Sequence, residues 1–145
     1  MLATLVMIGM AGRRAGEGRV YRAIVAGAVS GPLLLAAGIT FSPLLEVVAA
    51  VVVVATVSTF AVFTLARVVP RLRGVPKALL AASAASVLAG MAAALAYAVG
   101  EFAGDPVISL GQMARIHGPL NGLGFALCGL LGWTLDARNS RPPSL

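Results

Sequence analysis

Four stretches of this chain, residues 21–40, 44–66, 78–100 and 119–135, hold only two formal charges between them, Arg22 and Glu46. A helix needs about 20 apolar residues to cross a bilayer, with about 17 as the lower limit. Within the bilayer every backbone N–H and C=O must find a partner inside the chain. Each stretch is therefore expected to be helical. That holds even for residues 47–54, whose valine run favours strand in water. The expected fold is all-α: an integral membrane four-helix bundle in one domain, residues 1–145. Composition agrees, with 59% hydrophobic and 11% charged residues and a mean hydropathy of +0.97. A soluble domain carries about 25% charged residues. Soluble, DNA-binding and disordered classes are excluded.

The basic residues orient the bundle. The N-terminal segment, up to the first turn of the first span, carries Arg13, Arg14, Arg19 and Arg22, and the second loop, between the second and third spans, carries Arg67, Arg71, Arg73 and Lys77. Arg138 and Arg141 follow the fourth, which leaves Arg115 alone on the other side. Ten of the eleven basic residues thus fall on one face, and the positive-inside rule makes both termini cytoplasmic. The net charge of +6 reports this orientation rather than a nucleic-acid partner. Residues 1–10 are apolar but too short to span, and read as a short N-terminal interfacial helix. Pro32 inside the first span predicts a kink. The third span is rich in alanine, with Ser83, Ser86 and Gly90, and small residues let helices approach closely. Cys128 cannot form an internal disulfide and reads as a small packing residue. Four short helices are a small unit in lipid, which leaves room for a homo-oligomer.

Three of the five acids meet on the face with little other charge. Glu46 begins the second span, Glu101 and Asp105 follow the third, and Arg115, His117 and Asn121 lead into the fourth. His117 is the only histidine, expected at the mouth of the last span. Positions i and i+4 share a helix face, so His117 and Asn121 point the same way. A carboxylate beside an imidazole at a half-dry site suits general acid and base chemistry. Gly118, Gly122 and Gly124 leave one side of the helix bare for a flat substrate or another helix. Each residue also has a bland reading. Acids after a span belong to a solvated loop, a histidine at a helix start is a cap, and Gly-xxx-Gly is a helix contact. Glu46 fits the bland reading least, since a carboxylate next to a valine run wants a partner. One histidine with Glu46, Glu101 or Asp105 would suit iron, manganese or zinc. No HxxxH or CxxC pairing is present, so no metal and no cofactor are expected.

The run His117-Gly118-Pro119-Leu120-Asn121-Gly122-Leu123-Gly124-Phe125, continuing through residues 128–133, resembles the YndJ-like family of bacterial membrane proteins. That family shows a similar HGxxNxxGF element opening a late transmembrane helix. The resemblance covers about twenty residues closely and implies a match to the C-terminal half of longer members. It implies that His117, Asn121, Gly124 and Phe125 belong together, in a multi-pass protein of the bacterial inner membrane. It implies no activity.

The function expected from the residues is a small membrane enzyme acting on a lipophilic substrate by proton transfer. A cyclase or isomerase of a terpenoid or polyketide-derived product is the natural class. His117 with Glu46, Glu101 or Asp105 would be acid and base. Asn121, Arg115, Gly118, Gly122 and Phe125 would bind and orient the substrate. Two other classes stand beside it. One is a proton-coupled transporter or export subunit using Glu46. The other is a non-catalytic assembly partner whose glycine and alanine faces form the contact surface.

Overall fold

A computed structural model describes residues 2–104 and 107–140, and every element among them is helical. In chain order these are α1 (Leu2–Ala15), α2 (Arg19–Phe41), α3 (Pro43–Phe63), α4 (Gly74–Ala103), α5 (Leu110–Pro119) and α6 (Cys128–Asn139). A π-helical segment, Thr64–Val68, extends α3, and a second, Leu120–Leu127, joins α5 to α6. Among the described residues three helices are long and apolar enough to cross a membrane: Arg19–Phe41, Leu44–Arg71 and Gly74–Gly100.

The last helical region departs most from expectation. It begins at Leu110, nine residues before the proline that the sequence suggested as its start. Ser109 caps it. The serine hydroxyl accepts from Gln112 N at 3.2 Å, and the Gln112 side chain accepts from Ser109 N at 2.8 Å. This reciprocal pair satisfies two orphan donors at once. Pro119 then falls inside the helix, where it removes a donor, and the wide π turns begin at the next residue. From Leu110 to Asn139 the region is helical throughout and matches the 30-residue α4 in length.

The two long helices meet along a seam of small residues. A Cβ added at Gly132 would meet Leu80 at 2.9 Å, and one at Gly124 would overlap the Ser86 side chain. The seam explains why α4 is so rich in alanine and serine. Ser83 Oγ also donates to Phe125 O at 2.8 Å, giving a carbonyl of the π segment a partner. On the other side, α2 and α3 form a hairpin about Ser42. Gly31 lies against Val53, and Gly38 lies against the backbone of Glu46.

The N-terminal helix corrects the interfacial reading. Met7, Ile8 and Ala11 are buried in the core with Leu80, Phe125 and Trp133. Gly129 makes the space for Met7. Residues 67–77 also form less of a loop than their charge suggests. Val68, Val69 and Leu72 are buried beneath the bundle, and only residues 72 and 73 lie between helical elements. Arg14 forks onto Asp136 through Nε at 2.9 Å and Nη2 at 2.6 Å, and Arg71 Nη1 donates to Arg14 O at 2.9 Å. These bonds draw the ends of α1 and α6 and the turn after α3 to one end of the molecule, where the basic residues collect.

Candidate functional site

His117 sits deeper than its place in the sequence suggested. Its Nδ1 lies 2.9 Å from the carbonyl oxygen of Gly90, in the middle of α4. Gly90 is ten residues before Gly100, about 15 Å along a helix, or half the thickness of an apolar layer. The histidine is therefore not at the mouth of a span. The early start of α5 carries it inward. A carbonyl oxygen only accepts, so the bond is Nδ1–H donating to Gly90 O, and Nε2 is left as the ring's acceptor.

Asn121 covers the same glycine. A Cβ at Gly90 would meet Asn121 Oδ1 at 3.4 Å, Asn121 Nδ2 at 3.5 Å and His117 Nδ1 at 3.6 Å. The i, i+4 pairing of His117 and Asn121 holds, and both side chains lie against α4. Gly124 and Phe125 continue this packed face. Phe125 is buried, edge-on to Phe60 with ring centroids 6.4 Å apart.

The remaining substrate-binding candidates lie on a different face. Arg115 is two residues from His117, a spacing that points side chains apart on a helix. Gly118 and Gly122 are exposed, with nothing within 4 Å of an added Cβ at either. Arg115, Gly118 and Gly122 follow one another at helical spacing and form one open face. The residues expected to enclose one substrate are thus divided between a packed side and a bare side.

Glu46 is exposed, and its carboxylate makes no hydrogen bond or ion pair among the described residues, while its backbone N–H donates to Ser42 O at 3.0 Å. It stands in the first turn of α3, where the helix dipole favours an acid, and this accounts for it without a buried partner. Phe60 and Phe125 fix the relative level of α3 and the last helix, which run in the same direction. Glu46 precedes Phe60 by 14 residues and His117 precedes Phe125 by 8, so Glu46 lies about 9 Å farther out along the bundle. The structure does not bring Glu46 to His117. The Glu101 side chain and all of Asp105 lie outside the described residues. Among the described residues no three His, Cys, Asp or Glu side chains gather as a metal site.

Sequence reasoning missed the central role of Gly90, which it counted only as a small residue. The signal was available. A single glycine stands in the interior of an alanine-rich helix, opposite a helix with one histidine and one asparagine. The capping box at Ser109 and Gln112 was likewise a readable start signal.

Comparison with known proteins places this architecture. The family model described as YndJ-like protein matches residues 1–125. The likeness therefore reaches far beyond the HGxxNxxGF element, and residues 128–133 lie past its end. The uncharacterized membrane protein YndJ of Bacillus subtilis (strain 168) is 33% identical over 107 residues, which is 72% of this chain and 19% of that protein. The chain thus spans about a fifth of that relative's length. No solved structure matches it. With its apolar helices and a family match over most of its length, the chain is a bacterial membrane protein and belongs to the YndJ-like family.

Proposed function

We propose that the chain is a membrane assembly module: a four-span bundle that presents the bare face of its last helix to another transmembrane helix. One observation carries this reading, the division of the glycines in that helix. Gly124, Gly129 and Gly132 are filled by Ser86, Met7 and Leu80 from inside the bundle. Gly118 and Gly122 are open. A Gly-xxx-Gly pair on an outer face lets a second helix approach closely, where packing and weak polar contacts drive association in lipid. On this reading His117 and Asn121 act inward. They hold the last helix against α4, so that the open face is rigid when it meets its partner.

The test compares two leucine substitutions. Gly122→Leu fills open space, so it should leave thermal stability near wild type and reduce cross-linking to the partner helix in native membranes. Gly124→Leu should instead destabilise the fold. Unchanged cross-linking of the well-folded Gly122→Leu protein would overturn the proposal.

A second reading keeps the acid–base enzyme acting on a lipophilic substrate, and the contact of His117 Nδ1 with Gly90 O favours it. With Nδ1 engaged by Gly90 O, Nε2 is the ring nitrogen left for a proton transfer, in a half-buried position beside a π segment, a feature that recurs at functional sites. Here His117→Ala should lower product formation in cells by about 10²–10⁴-fold. Wild-type levels of lipid-soluble products from a well-expressed His117→Ala protein would end that reading.

A further inference from the structure

An open cleft of ≈ 540 Å³ runs between α1 and α6 at the basic end of the molecule. Its walls change character along its length. Leu5, Val6, Gly9 and Met10 supply the apolar part, and Arg13, Arg14 and Asp136 stand at one end. From Leu5 to Arg13 is eight residues, about 12 Å of helix. Trp133 borders the cleft from the core side. The two arginines are not equivalent. Arg14 is neutralised by its fork on Asp136 and also donates to Ser140 Oγ at 2.7 Å. Arg13 is exposed, and its guanidinium makes no hydrogen bond or ion pair among the described residues. Arg71 adds another cation next to this end through its bond to Arg14 O. The charged end is therefore positive, and it opens beside a strip of apolar wall.

We propose that this cleft binds one anionic phospholipid, with its phosphate at Arg13 and an acyl chain along Leu5, Val6, Gly9 and Met10. Charge selects this occupant. Basic pockets between membrane helices on the cytoplasmic side are suited to anionic headgroups. A second copy of the chain fits poorly, because its corresponding end carries the same excess of arginine. The acids there are Asp136, already held by Arg14, and Glu17 in the turn after α1.

The experiment is native mass spectrometry of the full chain in detergent, with phosphatidylglycerol or phosphatidylcholine of identical acyl chains added. The expected result is one retained phosphatidylglycerol per chain and several-fold less phosphatidylcholine. Arg13→Gln should remove the preference between the two lipids. Gly9 lines the cleft, and nothing lies within 4 Å of a Cβ added there, so Gly9→Phe blocks the cleft without disturbing the bundle. It should abolish retention of both lipids while the protein melts as wild type does in detergent alone. Equal retention of the two lipids, phosphatidylglycerol binding that survives Gly9→Phe, or a dimer mass lost in Gly9→Phe would each overturn the proposal.

Discussion

The packing of the last helix on α4 makes a specific demand at Gly124. An added Cβ there overlaps the Cβ and Oγ of Ser86, while the Ser86 Cα stays at an ordinary 3.9 Å. Carbon atoms in contact sit about 3.5–4.0 Å apart, so in Gly124→Ala the two helices must separate by on the order of 1 Å. Overpacking of this kind costs about 1–3 kcal/mol. Alanine's better helix propensity recovers up to about 1 kcal/mol. The net loss expected for Gly124→Ala is about 1–2 kcal/mol. Ser86→Gly removes both overlapping atoms, so the double variant should regain most of that loss, with a coupling energy of about 1 kcal/mol or more. Gly90→Ala is the control. Its nearest neighbour would be 3.4 Å away, at ordinary contact, and its stability should stay within about 1 kcal/mol of wild type. Reversible unfolding in detergent, followed by circular dichroism, measures all four proteins. If Gly124→Ala is as stable as wild type, or if Ser86→Gly deepens the loss, the close approach described here is wrong.

Asp136→Asn keeps the shape of the fork but removes its charge. With Arg14 38% exposed, the expected cost is about 1 kcal/mol, and α1 should detach first. Faster tryptic cleavage at Arg13 and Arg14 reports the detachment, and an unchanged cleavage rate counts against it. The charge partition predicts that, in a Cys128→Ala background, cysteines at Ser42 and Ser109 react with an impermeant thiol reagent from outside the cell. A cysteine at Gly74 should stay protected, and equal labelling of all three would refute the orientation.

Much of the fold was legible because lipid permits so few solutions. Apolar stretches with at most one charge each gave three long helices with bounds close to those observed, and helix prevailed over the valine run of α3 because a lone strand has no backbone partners in an apolar layer. The errors came from weighting proline too heavily. Pro119 suits a first helical turn, so it displaced the start of the last helix from Ser109 and put His117 at the membrane edge. A π segment after an interior proline leaves little signal in composition. The burial of α1 was equally hidden. Its length argued against a span, and only the space opened by Gly129 shows why Met7 goes inward. Within the candidate site, the His117–Asn121 pairing followed from helical spacing alone. The carboxylate partner did not, because a shared membrane side says nothing about relative depth.

The depth of His117 and Asn121 changes what their presence implies. Polar side chains at mid-membrane carry a cost and are by default read as functional. Here both lean on one glycine, and α4 has no other glycine between residues 75 and 99. Alanine recurs through the rest of that helix, so its small residues alone distinguish poorly between one register and a slide by one turn. Such a slide moves the partner by about 5.4 Å and would set the imidazole over Ala94, where a methyl group stands in place of the bare backbone. At Gly90 the imidazole and the Asn121 amide rest on bare backbone, and a Cβ there would just touch them, at 3.4 Å from Asn121 Oδ1 and 3.6 Å from His117 Nδ1. The bond from His117 Nδ1 to Gly90 O is therefore made with the least crowding in this register. A hydrogen bond between membrane helices is worth little in energy, about 0.6–2 kcal/mol, but it can decide between packings that are otherwise close to equal. Buried polar residues fix the register of coiled coils in the same way. A register set at mid-depth also fixes which residues of the last helix face outward, and with them the bare face of Gly118 and Gly122.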